Sequence, residues 1–360
     1  MKIVFLTTSL SLNDGWGRYS LEIIKHMPEI GIEPIVLTMS VQNQSPKGVK
    51  VLPYLPHYNQ LGSVSSVIQC FLKIRKSFEK CYAIHCLAEP YIPLSFLLSY
   101  DTPLIISGVG TYLVKPFYDK HQLWLHKLAL KKAASILCIS NYTLSRLQTQ
   151  LPNLNNLVVV NLGVDTEVFK PSYMNLREHG LIVSVGAIKP RKGYEYSIQA
   201  FAKLHKKHPH SKYVIVGDNH DISYLEFLKQ MVQELGVQNK VVFTGSLSMT
   251  KLIDLYHRAS IFMLTPVNVD GNFEGFGLVY LEAGACGLAS IGSKDCGVED
   301  AIVDGFTGYL ATQADVNAIS NLLNELLVDS EKRQFLGENA QHHAQNLRWQ
   351  NVSKSIAGFY

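Results

Sequence analysis

The feature that most constrains this chain is an alternation, run through twice, of short β-branched apolar stretches with longer amphipathic ones. In the first half, apolar runs at 3–7, 35–37, 83–86, 104–107, 136–139 and 158–160 are separated by helical patterns at 17–27, 65–81, 120–134 and 143–150. In the second half, runs at 181–186, 212–216, 241–244, 261–264 and 288–291 alternate with helical patterns at 194–208, 224–235, 249–257, 277–285 and 316–327. Strands that are apolar along their whole length are buried on both faces, and the helices between them supply the crossovers a parallel sheet needs. The expectation is an α/β chain of two Rossmann-like, doubly wound parallel-sheet domains facing across a cleft, with ligands at the carboxyl ends of the strands. The 360 residues suit two domains. We expect a first domain over 1–165, a linker over 166–180 carrying Pro171, and a second domain over 181–345.

Composition narrows the function. Apolar residues make up 47% and charged residues 17%, which excludes a disordered or collagen-like chain. A formal charge of +4 is too small to mark a nucleic-acid binder. The charge is uneven: residues 1–170 hold 16 Lys+Arg against 10 Asp+Glu, and the remainder holds 17 against 19. The basic half either meets something anionic or carries ordinary solvated lysines. Its densest stretch mixes Lys115, Lys120, Lys127, Lys131 and Lys132 with Phe117, Tyr118, Leu123, Trp124 and Leu128, and Lys73, Arg75, Lys76 and Lys80 form a second cluster. Such a helix lies on an anionic membrane surface or packs on a sheet with its lysines in water. The six cysteines form no Cys-x-x-Cys pair and read as reduced thiols. The opening Met1-Lys2-Ile3-Val4-Phe5-Leu6 is too short for a signal sequence, and no run of about 18 apolar residues offers a membrane span. The expected location is the cytoplasm, with the inner face of the membrane as a contact.

Three constellations carry chemistry. Asn13-Asp14-Gly15-Trp16-Gly17-Arg18-Tyr19 follows the first strand and opens a helix, where free N–H groups attract an anion or sugar. With Ser20 at the third glycine position it is no dinucleotide fingerprint, and a plain βα turn is the competing reading. Ser184-Val185-Gly186-Ala187-Ile188-Lys189-Pro190-Arg191-Lys192-Gly193-Tyr194 puts three cations before a positive helix end. That placement is unfavourable unless an anion such as a diphosphate lies among them or the cations are fully solvated. In Glu274-Gly275-Phe276-Gly277-Leu278-Val279-Tyr280-Leu281-Glu282-Ala283, two carboxylates eight positions apart span about 12 Å of helix, a separation suited to the two hydroxylated ends of a nucleotide sugar. Glu282, in an apolar helix, needs a partner and could equally belong to a buried ion pair.

These residues resemble glycosyltransferase family 4, the GT-B "glycosyl transferases group 1". The segment from Glu274 to Glu282 is similar to the family's E-x7-E signature. Supporting likenesses are Gly15 to Tyr19, Asn161-Leu162-Gly163-Val164-Asp165 with Phe169-Lys170-Pro171, Pro190 to Gly193, and Val216-Gly217-Asp218; residues 346–360 resemble a last helix that crosses back to the first domain. The resemblance implies a retaining, metal-independent hexosyltransferase that uses a UDP or GDP sugar as donor and no cofactor. Its acceptor would be a glycan, a lipid-linked sugar or a polysaccharide precursor. It implies that Arg191 and Lys192 neutralise the diphosphate, that Glu274 holds the donor sugar's hydroxyls, and that Glu282 binds the ribose. Gly15, Gly17, Gly186, Gly275, Phe276, Gly277 and Leu278 would complete the donor site, and Leu247 would lie near the base.

Two positions depart from the family pattern. Ala187 stands where an arginine is usual, and Val109, in Ser107-Gly108-Val109-Gly110-Thr111-Tyr112, stands in place of a histidine. His121 and His126 fall on a helix, where a surface or amphipathic face is expected rather than a replacement role. Asp218-Asn219-His220-Asp221 reads as a strand-end loop rather than a metal site. Two other functions fit the architecture: a sugar-nucleotide epimerase, and a catalytically impaired binding subunit for which Val109 is the main support.

Overall fold

In the computed structural model the chain forms two compact units, one of Met1–Leu162 with Trp349–Tyr360 and one of Gly163–Arg348. The structure describes all residues except 13, 40–44, 76–79, 121, 173–175 and 219–220. Asn13, Lys76, His121, Asn219 and His220, singled out above, therefore lie outside the described residues.

The first unit is built on a seven-stranded, all-parallel sheet: β1 (Lys2–Leu6), β2 (Glu33–Leu37), β3 (Lys50–Leu52), β4 (Ala83–Cys86), β5 (Leu104–Gly108), β6 (Ser135–Cys138) and β7 (Leu157–Val159). Their order is β3-β2-β1-β4-β5-β6-β7, so the winding reverses between β1 and β4. Ile3, Phe5, Ile84, Cys86, Ile105, Ile106 and Ile136 are fully buried, as a sheet covered on both faces requires. Strand β3 is short and at the edge, and its single Lys50-Val51-Leu52 run shows no usable pattern. The helix Gly15–Ile24 starts two residues earlier than the glycine-rich pattern predicts, because Asp14 caps it by accepting from the Gly17 N–H at 2.7 Å. The helix Val64–Ile74 opens on a Ser63 capping box and ends short of the expected residue 81. The helix Ile92–Leu98 was not anticipated, since its apolar residues are buried nearly all round and leave no amphipathic period.

The last helix, Trp349–Ala357, belongs to this unit. Ser353 Oγ donates to the Ile23 carbonyl at 3.3 Å, and Trp349 meets the Tyr19 ring edge-on at 6.3 Å. Beyond it, the Tyr360 hydroxyl pairs with His85 Nδ1 at 2.7 Å. The other nitrogen of that ring pairs with Ser107 Oγ at 2.9 Å, and Ser107 in turn with the Tyr19 hydroxyl at 2.8 Å. Burial pushes His85 down to about 3, so this network is held by a neutral imidazole.

The second unit has a six-stranded parallel sheet of β8 (Leu181–Val185), β9 (Lys212–Val216), β10 (Val241–Gly245), β11 (Ile261–Met263), β12 (Ala289–Ser293) and β13 (Gly308–Ala311). The order is β10-β9-β8-β11-β12-β13, with the reversal between β8 and β11. Strand β13 and the helix Ser330–Asn346 are additions to the expected elements; the helix is mostly polar and buries little beyond Leu336, Gly337, Ala340 and Ala344.

The stretch expected to link the domains is bound into the second unit. Phe169 is buried against the Tyr256 ring, His257 bonds the Lys170 carbonyl at 2.7 Å, and Arg258 pairs with Glu178 at 2.6 Å. The Arg177 guanidinium donates to the carbonyls of Tyr256 (2.6 Å), Ala259 (2.7 Å) and Cys286 (2.6 Å). These are the orphan acceptors at the carboxyl ends of the helices Met249–Arg258 and Leu278–Ala285, where a cation also complements the helix dipoles. Replacing Arg177 with Met strips the donors from three carbonyls at once. We expect a loss of about 3 kcal/mol in chemical denaturation of the second unit, whereas an exposed control such as Lys229→Met leaves the midpoint unchanged.

Candidate functional site

The observed chemistry of the second unit gathers past the carboxyl ends of β8 and β11, the two strands flanking its reversal point. After β8 the chain makes a turn at Pro190–Lys192, with proline at its first position, and enters the helix Tyr194–Lys207. The Val267 N–H donates to the Arg191 carbonyl at 2.9 Å, fixing this turn to the segment that follows β11.

Glu274 sits on that second segment and accepts at one oxygen, Oε2, from Arg191 Nη1 at 2.8 Å and from Lys192 Nζ at 2.5 Å. Glu274 is 9% exposed and Lys192 8%. Burial pushes the Glu274 carboxyl up, but the two adjacent cations and their hydrogen bonds outweigh it and hold the group at about 2. Burial lowers Lys192 against the opposing pull of Glu274. Arg191 and Lys192 thus meet Glu274 at one of its oxygen atoms. Two of the three cations ahead of the helix, Arg191 and Lys192, therefore have an internal anion.

Gly186 ends β8 beside this group: its carbonyl accepts from the Tyr194 hydroxyl at 2.7 Å, and a Cβ on it would lie 3.4 Å from Lys192 Cε. Gly275 carries the chain past Gly297, whose N–H donates to the Glu274 carbonyl at 2.8 Å. Phe276 is buried, so its ring is core and its backbone alone is available to a ligand. Gly277 has a φ of +86°, and a Cβ there would fall 2.5 Å from the Tyr280 ring. That ring is tethered by its hydroxyl to the Leu264 carbonyl at 2.5 Å, so glycine is required. Leu278, half-buried, begins the helix Leu278–Ala285. Glu282, 1% exposed inside that helix, accepts from the Tyr256 hydroxyl at 3.2 Å. Leu247 lines a cavity of about 430 Å³ with Leu181, Lys212, Val214 and Val242, rather than joining the Glu274 group.

In the first unit, Gly15 is exposed with open space around it, while Gly17 is buried. A Cβ on Gly17 would lie 2.2 Å from Ser9 Oγ, which donates to Asp14 at 2.7 Å. The residue that sequence reasoning missed is Glu89, just past β4. It is buried, accepting from Trp16 Nε1 at 2.5 Å, from the Val109 N–H at 2.7 Å and from the Gly110 N–H at 2.9 Å. Burial raises its pKa against those donors. The available signal was the one carboxylate in the mostly apolar run from Ala83 to Leu98. Val109 thus contributes its backbone N–H to Glu89. His126 lies on the buried face of the helix Leu123–Lys132: its Nε2 pairs with the Leu113 carbonyl at 2.8 Å, and burial lowers it to about 4. Asp221 caps the helix Ile222–Glu234. Among the described residues no group of three or more His, Cys, Asp or Glu could hold a metal ion, no helix is long and apolar enough to cross a membrane, and all six cysteines are free.

Two family models divide the chain between them. The model described as Glycosyltransferase Family 4 matches residues 13–168, and Glycosyl transferases group 1 matches residues 167–343. The chain belongs to glycosyltransferase family 4. Among curated members of known activity, it is 32% identical over 232 residues to a GDP-mannose-dependent alpha-(1-6)-phosphatidylinositol monomannoside mannosyltransferase of Mycolicibacterium smegmatis. That stretch covers 61% of this chain and 60% of the relative. It is 29% identical over 216 residues to the D-inositol 3-phosphate glycosyltransferase of Kribbella flavida, covering 56% of this chain and 50% of that one. These matches therefore span only about half to three-fifths of the relatives' length. Similar solved structures include Anabaena HepE in complex with UDP and glucose, at 21% identity and a TM-score of 0.82 over 99% of this chain and 98% of that one. The sucrose-phosphate synthase of Thermosynechococcus elongatus is similar at 19% identity and a TM-score of 0.84 over 100% and 98%. At these identities the likeness establishes the fold, which is GT-B.

The Glu274 group has a pH signature. Its folded pKa lies below the ordinary 4.5, so the stability it contributes is present above 4.5 and is lost as pH falls toward about 2. Denaturation of wild type and Glu274→Gln across pH 2 to 7 should show the wild-type advantage shrinking in that window. Parallel curves would contradict the ionised triad.

Proposed function

We propose that the chain is a retaining glycosyltransferase that moves a hexose from a nucleotide-diphosphate sugar to a hydroxyl of a glycan, lipid-linked or polysaccharide-precursor acceptor, without a metal. The observation that carries this reading is the buried Arg191–Glu274–Lys192 group beyond β8 and β11. A diphosphate leaving group gains negative charge as the sugar–phosphate bond breaks. Two cations already held in place stabilise that charge without reorganising at the moment of reaction. Glu274 does the holding, and its carboxylate is also suited to accept from sugar hydroxyls. The amino end of the helix Leu278–Ala285, opened by Gly275, Phe276 and Gly277, adds N–H groups for the phosphates. Gly186 gives a diphosphate room beside Lys192, Leu278 lies at the start of the same helix, and Glu282 takes the ribose. The acceptor hydroxyl attacks on the leaving-group face and passes its proton to the departing phosphate, so the C1–O bond to phosphate breaks as the new glycosidic bond forms. The names of the relatives support a nucleotide-sugar donor, with GDP-mannose and UDP-glucose as the first to try.

The same reading places the protein in the cytoplasm, touching the inner membrane face through its basic first unit. On the helix Leu123–Lys132, Trp124 is 55% exposed beside Lys127 and Lys131, while Leu125, His126, Ala129 and Leu130 face the core. Lys132 takes no part, since its ammonium is bonded to the carbonyls of Ser99 and Tyr100.

Lys192→Ala should lower turnover by about a thousandfold and, by taking a partner from the buried Glu274 carboxylate, lower the melting temperature as well; unaltered turnover in the folded variant would remove Lys192 from the leaving-group role. Proton NMR of the product should show the donor's anomeric configuration retained, and turnover should persist in EDTA. An inverted product or EDTA-sensitive turnover would overturn those parts of the reading.

A further inference from the structure

The first unit presents an aromatic group that the proposed chemistry leaves unused. Trp16 comes from the helix that follows β1, Tyr58 from the turn Tyr58–Leu61 that follows β3, and Tyr112 from the segment that follows β5. Three segments far apart in sequence thus meet past the carboxyl ends of the sheet. The Trp16 ring meets Tyr58 at 5.7 Å and Tyr112 at 4.9 Å, both edge-on, and His57 stacks on Tyr58 at 4.5 Å. None of the three larger rings is buried: Tyr112 is 39% exposed, and Trp16 and Tyr58 are half-buried.

A buried carboxylate fixes the orientation of the group. Glu89 holds the indole at Nε1 with one oxygen and, with the other, the Val109 and Gly110 N–H groups that lead directly to Tyr112. Desolvating a carboxylate is costly, and these donors are the compensation it receives. The result is a set of rings set at angles of 68° and 75°, with His57 stacked on Tyr58, that keep part of their surface exposed. The rim is polar. Asn59 and Gln60 are exposed in the Tyr58 turn, and the Lys115 ammonium lies 5.1 Å from the Tyr112 ring centre. Exposed aromatic rings with amide side chains in the Tyr58 turn and an ammonium beside Tyr112 match a ligand with a C–H face and a hydroxylated edge. A pyranose has that shape; a lipid tail offers no partner for the rim.

We propose that Trp16, Tyr58 and Tyr112 form a stacking subsite for a pyranose of the acceptor glycan, with Glu89 as its positioning residue. Calling the pyranose an acceptor rests on the transferase reading; the stacking itself does not. The test is saturation-transfer NMR on the full chain with methyl mannoside, glucoside and galactoside and their disaccharides, in the absence of nucleotide. Binding of UDP and GDP is measured in parallel by calorimetry. Wild type should show transfer to the C–H protons of at least one pyranoside. Tyr58→Ala and Tyr112→Ala should each weaken that binding about tenfold. Tyr112→Phe should restore it, and nucleotide affinity should not move. Trp16→Phe, which keeps a ring but loses the Glu89 bond, should weaken it as well. Nucleotide binding by wild type with no pyranoside binding, or pyranoside binding indifferent to all four variants, overturns the subsite and leaves the transferase reading standing. Ring-dependent pyranoside binding with no nucleotide binding would uphold the subsite and sink the transferase reading instead.

Discussion

One carboxylate oxygen, Glu274 Oε2, carries the arrangement on which the second unit's site depends. Arg191 and Lys192 have long, rotamer-rich side chains that would otherwise sample water. Drawn to a single buried anion, they become fixed points of positive charge. Removing either partner would leave an uncompensated charge in a poorly solvated place, so the group stands or falls together. The surrounding turn is fastened accordingly, by the Val267 N–H on the Arg191 carbonyl and the Gly297 N–H on the Glu274 carbonyl. Charge placement and backbone geometry here are one constraint.

The first unit solves a related problem with different chemistry. Glu89 also follows the strand that flanks its sheet's reversal, and it is also buried, but neutral donors surround it: an indole and two backbone amides. Cations beside Glu274 depress its pKa, whereas burial prevails at Glu89 and raises it. The same residue type at equivalent places in two similar sheets thus yields a charged clamp in one and a scaffold for aromatic rings in the other.

The strands were legible because a parallel sheet leaves long apolar runs, and β4 and β9 fall on the residues the pattern marks. Strands β3 and β13 were not, being short edge strands at the margins of their sheets. The helix Ser330–Asn346 escaped notice because small residues, Gly337 and Ala340, do its packing, and these carry little hydrophobic signal. Arg191, Lys192 and Glu274 were legible as individuals through their glycine-rich settings. That they share one oxygen was not, because 83 residues separate Arg191 from Glu274 and only the fold brings them together. Glu89 was missed because its partners are main-chain amides and one indole, which leave no spacing in the sequence.

The path of the chain gives the first unit an unusual history. Its sheet is complete by Leu162, yet the helix Trp349–Ala357 that covers Ile23 and Tyr19 is separated from it by the whole second unit. During synthesis, His85 and its neighbours therefore remain without Tyr360 until the intervening 186 residues, Gly163 to Arg348, have emerged. The first unit to be made is the last to be finished.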